Sequence, residues 1–401
     1  MIQGLIYCEG DNYEMGKKHG ELLTLEIRRN LMTFWDVLRV GGHDKEELIK
    51  NGMTLEGLLS SHRLEQIKGI GDGARIEYPE VLAYNVFHDI AFAEGCTVLM
   101  AVGKASATGD TIFLKNSDKV GSESYVGPNS HKNKEINVIA LLNPKEGHKI
   151  IGVAAAGSIA LKMGLNDKGV ATGSNISRTK ELGLRGTEKD AIQMKALDRG
   201  VLMSEGLEKG RSALDAAKAI LPGLLEHPMS TPGNLEFADA QEAIIIEGSY
   251  QEMATQIVRD DVAARSNGFV LLKALNNEND LSSICRYIRC LQLLNEHKGR
   301  VTSEKMIEFS MDHANGPGPN SICRHGAHFS EETSLSAAVM EIDGKSPERS
   351  KITIALGKPC HAWRAKEAHI TLDMTMGLKD IPEGLKDGEI WKQFYIEEPR
   401  K

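Results

Sequence analysis

A single cysteine, Cys96, follows Gly95 at the point where the sequence changes from helical to strand-like patterning. A cysteine at the start of a strand is usually only a small buried hydrophobic residue. If the Gly95–Cys96 peptide bond were cut, however, Cys96 would carry a free α-amine beside its own thiol. An α-amine has a reference pKa of about 7.7–8.0 and a thiol of about 8.5, so this amine can accept the thiol proton near neutral pH. One residue would then supply both the nucleophile and the base.

The elements that must position Cys96 are mostly helical before it and mostly strands after it. Residues 12–40 carry apolar side chains at helical spacing, and a second helical pattern covers about 54–93. From Cys96 onwards, short apolar runs are separated by Gly, Asn, Asp and Pro, which is typical of strands and turns. The first two of these strands predict a hairpin that returns Asp118 to the vicinity of Cys96.

Later in the chain, predicted strands are grouped around pairs of predicted helices. Their short connections favour antiparallel sheets over a doubly wound parallel sheet. The sequence therefore predicts an α+β fold, and the lack of a Pro/Ser-rich linker favours one large domain. The helices are predicted at about 187–206, 210–226, 278–297 and 302–313, and the strands at 236–247, 250–258, 335–343, 350–356 and 367–373.

Composition and charge limit the classes of molecule that this protein is expected to bind. The chain is 41% hydrophobic and 26% charged, which indicates a folded globular protein rather than a disordered one. Its net charge of -8 argues against general affinity for nucleic acid or anionic membrane surfaces. The N-terminal residues show no signal-peptide pattern, and no apolar run reaches the length of a membrane span. We expect a cytoplasmic protein with small-molecule partners.

The cysteine and histidine spacing gives no metal motif. The six cysteines include no Cys-x-x-Cys pair, so neither a disulfide framework nor a zinc site is favoured. Cys285 and Cys290 fall on different faces of a predicted helix, which is typical of core thiols. His313 and His325 lack the spacing of a metal-binding pair. We therefore expect no metal and no cofactor.

Several short motifs follow one another in an order that is specific when taken together. In this order they resemble the acyl-coenzyme A:6-aminopenicillanic acid acyltransferase family of N-terminal-nucleophile (Ntn) hydrolases. The motifs are GDNYEMGKKHGELL (10–23), EQIKGIGDGARIEYPEVLAYN (65–85), GCT (95–97), GNLEFADAQEAIIIE (233–247), NSICRH (320–325) and ALGKPC (355–360).

The resemblance implies a four-layer αββα sandwich with antiparallel sheets. It also implies autocatalytic cleavage between Gly95 and Cys96. The products would be a mostly helical α segment, 1–95, and a β segment, 96–401, that carries the nucleophile. The two segments are expected to remain associated as one Ntn domain, with a homo-oligomer possible.

The resemblance further assigns roles to residues around Cys96. Asp118, in the segment LKNSDK (114–119), is implied to hold the Cys96 α-amine. Lys115 stands where the family commonly has arginine, and lysine cannot reproduce the planar fork of a guanidinium. Arg324 matches a late arginine of the family, which is expected to lie near the thiol and lower its pKa through its positive charge.

Asn175 and Asn267 resemble the family's paired asparagines near the nucleophile. A side-chain amide N–H can donate to the oxyanion that develops on an attacked carbonyl, an effect worth roughly 3–4 kcal/mol per donor. The resemblance implies this role for Asn267, together with the backbone around Cys96. Gly268 follows Asn267 where the family more often has histidine, which alters the expected leaving-group pocket.

The expected reaction is amide hydrolysis or acyl transfer through a thioester on Cys96, with a small amide, peptide-like compound or thioester as substrate. The substrate-binding residues are not predicted. One alternative is a pure transferase that takes its acyl group from a thioester donor. Another is an unprocessed, catalytically silent relative that binds a small amide, in which Asp118 and the two asparagines are turn residues and Arg324 forms an ordinary ion pair.

Overall fold

The computed structural model describes residues 2–92, 95–120, 135–180, 195–328, 331–366 and 368–377. Its strands form two sheets, which we call the large sheet and the small sheet. In spatial order, the large sheet contains β1 (Ile2–Gly10), β4 (Asn137–Pro144), β5 (Ile150–Ala155), β6 (Leu161–Asn166), β7 (Ala171–Ile176), β8 (Gly233–Ala238), β9 (Glu242–Gly248) and β10 (Met253–Arg259). The small sheet contains β11 (Val262–Arg265), β2 (Gly95–Ala101), β3 (Ile112–Val120), β12 (Glu332–Glu341), β13 (Lys351–Ala355) and β14 (His369–Asp373).

The two sheets pack face to face. Alternate side chains of a strand point to opposite faces, so each sheet can present one apolar face to the other. Val98 and Phe113 of the small sheet are fully buried in one cluster with Ile151, Met163 and Leu165 of the large sheet. The central core of the molecule therefore lies between the sheets.

Helices cover the outer face of each sheet. The first six helices of the chain pack on the large sheet with Val138 and Ala140 of β4. The next two helices along the chain pack on the same sheet with Leu235 and Ile246. The last three pack on the small sheet around Leu114. The helices are α1 (Asn12–Leu22), α2 (Thr24–Val40), α3 (Lys45–Thr54), α4 (Ser61–Ala74), α5 (Tyr78–Val86), α6 (His88–Ala91), α7 (Arg199–Lys209), α8 (Ala213–Glu226), α9 (Leu281–Glu296), α10 (Ser303–Ser310) and α11 (Pro359–Ala362). Single 3₁₀ turns occur at Glu56–Leu58, Gly103–Ala105, Lys273–Leu275 and Pro347–Arg349.

This layering confirms the predicted α+β class and the αββα sandwich. The strand pairs are antiparallel except for β1 and β4, which run parallel within the part of the chain described. The first 95 residues therefore contribute a strand as well as helices. No helix in the described ranges has both the length and the apolar composition needed to cross a bilayer.

Several predicted boundaries differ from the observed ones. The predicted helix at 12–40 is two helices separated at Leu23. The predicted strand at 236–247 is the hairpin of β8 and β9, because the Asp239 side chain accepts from the backbone N–H groups of Gln241 and Glu242 and closes a turn. The first part of the predicted helix at 187–206 lies outside the described residues, and α7 begins at Arg199.

Candidate active site

Cys96 lies at the start of β2, and the predicted hairpin brings Asp118 beside it. Strands β2 and β3 pair antiparallel, with Gly95 opposite Asp118 and Cys96 opposite Ser117. Cys96 is only 2% exposed. The sequence pattern thus located correctly both the strand that carries the cysteine and the strand that carries the acid.

Close packing around Gly95 disfavours a larger residue at this position. A Cβ added to Gly95 would lie 2.8 Å from Arg324 Nη1 and 3.3 Å from Asp118 Cβ. Gly95 does not have a positive φ. Glycine is therefore favoured by the approach of the Arg324 guanidinium to the backbone, and not by a left-handed backbone conformation.

Asp118 is fully buried and takes part in a charged network with Arg324 and Glu332. Its Oδ1 accepts a hydrogen bond from the Ser334 hydroxyl at 2.6 Å, and its Oδ2 lies 3.5 Å from Arg324 Nη1. Arg324 Nη2 also contacts Glu332 Oε2 at 2.6 Å. Burial, followed by the positive charge of Arg286, lowers the pKa of Arg324 to about 9, so the guanidinium stays charged at neutral pH.

Asn267 holds the backbone nitrogen of Cys96. Its Oδ1 accepts from the Cys96 N–H at 3.3 Å and from Arg286 Nη2 at 2.8 Å, while its Nδ2 donates to the Ile176 carbonyl at 2.9 Å. The other amine nitrogen of Arg286 donates to the Cys96 carbonyl at 2.7 Å. Sequence reasoning did not identify Arg286, which fixes the Cys96 peptide from α9.

Asn175 lies near the end of β7, next to the Ile176 carbonyl that Asn267 binds, and opposite Asn234 of β8. Its side chain is fully buried, and neither Oδ1 nor Nδ2 hydrogen-bonds another described protein group. A buried polar group without a protein partner calls for an explanation such as a ligand or a catalytic role. Of the two predicted asparagines, only Asn175 therefore has an uncommitted amide donor.

Lys115 is also buried at the site. It lies opposite Val98 in the β2–β3 pair, and its Nζ donates to the Lys162 carbonyl at 2.5 Å. Together with Cys96, Lys115 lines a narrow cleft with a volume of about 30 Å³. The cleft is also lined by His88, Asp89, Phe92, Ala160, Leu161, Lys162, Ser174, Asp198, Arg199 and Gly200.

Arg199 is the second functional candidate that the sequence did not reveal. Its Nε and Nη2 bind both carboxylate oxygens of Asp89, at 2.8 and 2.6 Å. Its Nη1 is buried and has no hydrogen-bond partner in the described structure. Asp198, the N-cap of α7, lines the same cleft, where burial and then the Asp89 charge raise its pKa to about 6. The N-cap was missed because the predicted helix ran through 195–198, which are not helical in the structure.

Potential metal ligands converge at a separate place. Across the described ranges, one group of at least three His, Cys, Asp or Glu side chains could share an ion, and none of its members lines the cleft. It consists of His313, Cys323, His325 and Cys360. Spacing along the chain did not predict this group, because the ligands come from segments that only the fold brings together.

Comparison with known proteins gives distant similarities. No family model matches the chain. An uncharacterized protein of Archaeoglobus fulgidus is 26% identical over 193 residues, which cover 43% of this chain and 32% of that protein. The chain thus spans about a third of the length of this relative.

Three solved structures are similar to parts of the fold. Penicillin V acylase from Agrobacterium tumefaciens has a TM-score of 0.40 at 12% identity, with 70% of this chain and 86% of that chain covered. A variant of conjugated bile acid hydrolase from Clostridium perfringens has a TM-score of 0.40 at 10% identity, with 72% and 95% covered. The Caenorhabditis elegans ortholog of N-acylethanolamine-hydrolyzing acid amidase has a TM-score of 0.39 at 13% identity, with 69% and 100% covered.

Proposed function

We propose that this protein is an acyl-amide hydrolase of the Ntn type, with Cys96 as its nucleophile after cleavage of the Gly95–Cys96 bond. The observation that carries the proposal is the position of the Cys96 backbone nitrogen, which becomes the α-amine. It lies 3.3 Å from Asn267 Oδ1, and the Cys96 side chain lines a cleft. Both the nucleophile and its base would then be held at one place.

Self-cleavage is the first proposed reaction. The Cys96 sulfur attacks the Gly95 carbonyl carbon, the C–N bond breaks, and the thiol proton passes to the departing nitrogen. Water then hydrolyses the resulting thioester, which leaves a carboxylate on Gly95 and restores the thiol. The Arg324 guanidinium that packs against Gly95 can stabilise negative charge on its carbonyl oxygen.

Turnover repeats this chemistry on an external amide. The α-amine accepts the thiol proton, the sulfur attacks the acyl carbonyl, and the protonated amine returns that proton to the leaving nitrogen. We assign orientation of the α-amine to Asn267, because its Nδ2 is committed to Ile176. The uncommitted amide of Asn175 is the better donor to the oxyanion. Asp118 would act through Arg324 and Ser334, which it binds.

The cleft favours a small acyl amide that carries a negatively charged or strongly accepting group. Arg199 Nη1 has no acceptor among the described residues, and a buried guanidinium N–H gains most from an anionic partner. Lys115 adds a cationic side chain to the same lining, whereas the positive charge of Lys162 is paired with Glu135 and that of Arg199 is shared with Asp89. Water or an amine can resolve the thioester, so hydrolysis and acyl transfer differ only in the second nucleophile.

Intact-mass measurement of the purified full chain tests the proposal. We expect two fragments that separate before Cys96 in the wild type and in Cys285→Ala, which removes a half-buried thiol of α9. Cys96→Ala should remain one chain. An unbroken wild-type chain after prolonged incubation would contradict self-cleavage, and a cleaved Cys96→Ala chain would indicate an outside protease.

A panel of acyl amides then tests turnover. Release of a primary amine, together with trapping of an acyl group on Cys96, is the expected result. Amine acceptors added at increasing concentration distinguish transfer from hydrolysis, since only transfer yields a new amide. A cleaved protein that releases no amine from anionic or neutral amides would refute the proposed substrate class. That result would still be consistent with the proposed self-cleavage.

One observation favours the unprocessed amide-binding alternative. Gly95 and Cys96 both lie within the regular pairing of β2 with β3, and neither has a positive φ. A chain that stays intact yet binds the amides of the panel, as measured by calorimetry, would support that alternative.

The two segments should stay together after cleavage. Strand β1 is hydrogen-bonded to β4, and the helices before Cys96 share a buried core with that sheet. We therefore expect both fragments to co-elute in size-exclusion chromatography, whether as one copy or as a homo-oligomer. Separate elution without denaturant would contradict the expected association.

A further inference from the structure

Four metal-binding side chains meet between the loop before β12 and α11. His313 follows α10, Cys323 and His325 lie in the loop, and Cys360 lies in α11. Their ligand atoms all lie within 4.8 Å of one another. His325 Nε2 is 3.2 Å from His313 Nε2, 3.3 Å from Cys360 Sγ and 3.8 Å from Cys323 Sγ.

These separations agree with a single tetrahedral ion. Zinc binds nitrogen at about 2.0–2.1 Å and sulfur at about 2.3 Å. A tetrahedron with those bonds places two nitrogens about 3.3 Å apart and a nitrogen about 3.6 Å from a sulfur. The three distances from His325 Nε2 differ from these values by a few tenths of an ångström. Pairwise hydrogen bonds alone do not account for two sulfurs and two imidazole nitrogens that all lie within 4.8 Å of one another.

We propose that His313, Cys323, His325 and Cys360 bind one zinc ion. Two thiolates and two imidazoles form a ligand set that zinc uses in structural sites. Soft sulfur ligands also disfavour magnesium and calcium, which prefer oxygen. All four positions of the tetrahedron are filled by protein, so the site has no open position for a water or substrate. The zinc therefore has a structural role rather than a catalytic one.

The site would fix the residue that packs against the proposed cleavage bond. Cys323 and His325 flank Arg324, whose backbone exchanges hydrogen bonds with Ser334. The Arg324 side chain reaches Asp118, Glu332 and the backbone of Gly95. Zinc would thus anchor the loop on both sides of Arg324 and attach it to α11 through Cys360.

Metal analysis of the full-length protein, purified under reducing conditions, tests the proposal directly. We expect one equivalent of zinc per chain in the wild type and less than a tenth of that in the Cys323→Ser/Cys360→Ser double variant. The matched control is Cys285→Ser, which removes a thiol outside the group and should retain one equivalent. Zinc content unchanged in the double variant would overturn the proposal.

Cobalt substitution provides a second readout that needs no variant. After removal of the native metal with a chelator, the wild type loaded with Co²⁺ should show the strong visible bands of tetrahedral coordination and a thiolate-to-cobalt charge-transfer band. Weak octahedral bands or no cobalt binding would each overturn the proposal. Chelation should also lower the melting temperature of the wild type and leave that of the double variant unchanged.

Discussion

Replacing Asn175 with leucine should lower kcat and leave the free energy of unfolding almost unchanged. The Asn175 carboxamide is fully buried and hydrogen-bonds no described protein group, so its removal leaves no protein partner unsatisfied. Leucine has a similar size, and we expect the free energy of unfolding to change by less than about 1 kcal/mol. If Asn175 Nδ2 donates to the oxyanion, kcat should fall about 10²–10³-fold, equivalent to about 2.7–4 kcal/mol, with KM nearly unchanged.

The matched variant is Asn267→Leu, for which we expect a large decrease in the free energy of unfolding. Asn267 makes three hydrogen bonds, to the Cys96 nitrogen, Arg286 and the Ile176 carbonyl. At about 1 kcal/mol for each bond, its loss should lower the free energy of unfolding by about 3 kcal/mol. Self-cleavage should also slow, because the Cys96 peptide loses one of the groups that hold it.

Urea unfolding of both full-length variants gives the stability changes, and steady-state kinetics on the best amide of the panel gives kcat and KM. Since the proposed activity requires cleavage before the assay, the wild type and each variant are first checked for cleavage by mass. The assignment of Asn175 is refuted if Asn175→Leu keeps kcat within twofold of the wild type. A destabilisation of Asn175→Leu as large as that of Asn267→Leu would show that its amide is a structural group.

Three further changes have defined outcomes. Gly95→Ala should slow self-cleavage at least tenfold, because its Cβ would meet Arg324 Nη1 at 2.8 Å; a cleavage rate equal to the wild type, measured by intact mass, would contradict that packing argument. Burial lowers the pKa of His19 from 6.5 to about 4, and its Nε2 accepts from the Gly157 N–H. The unfolded chain therefore binds a proton that the folded chain rejects, so stability should fall as the pH drops below about 6.5, by about 2 kcal/mol at pH 5. Urea midpoints at both pH values should show a smaller loss in His19→Gln, and an equal loss would assign the effect to other groups. Arg199→Lys should raise KM about tenfold for an anionic amide and not for a neutral one with the same scissile bond, and equal changes would limit Arg199 to its pairing with Asp89.

The sequence predicted the part of the site that is formed by residues of one hairpin. The turn-forming residues between two apolar runs were sufficient to place Asp118 beside Cys96 in one hairpin. Arg286 could not be found in this way, because it reaches the Cys96 carbonyl from 190 residues further along the chain. The sequence of an amphipathic helix does not show whether its arginine is buried and binds the backbone of another segment or is exposed to solvent.

Strand β1 was missed for a different reason. Leu5 packs into the core between the sheets, while Ile6 and Cys8 pack under the helices. A strand that is buried on both faces does not alternate between polar and apolar residues, so its pattern is not distinctive. The short run before the first predicted helix therefore gave no indication of a parallel partner more than a hundred residues away.

The parallel pairing of β1 with β4 affects how the protein folds and whether it can refold after it has unfolded. Before cleavage, one chain folds as a unit and β1 finds its place by an intramolecular search. If the chain is cleaved as proposed, that strand and its helices would belong to a separate polypeptide, and recovery from unfolding would become a bimolecular reaction that depends on concentration. The mature protein would then persist through slow unfolding, rather than through its capacity to refold.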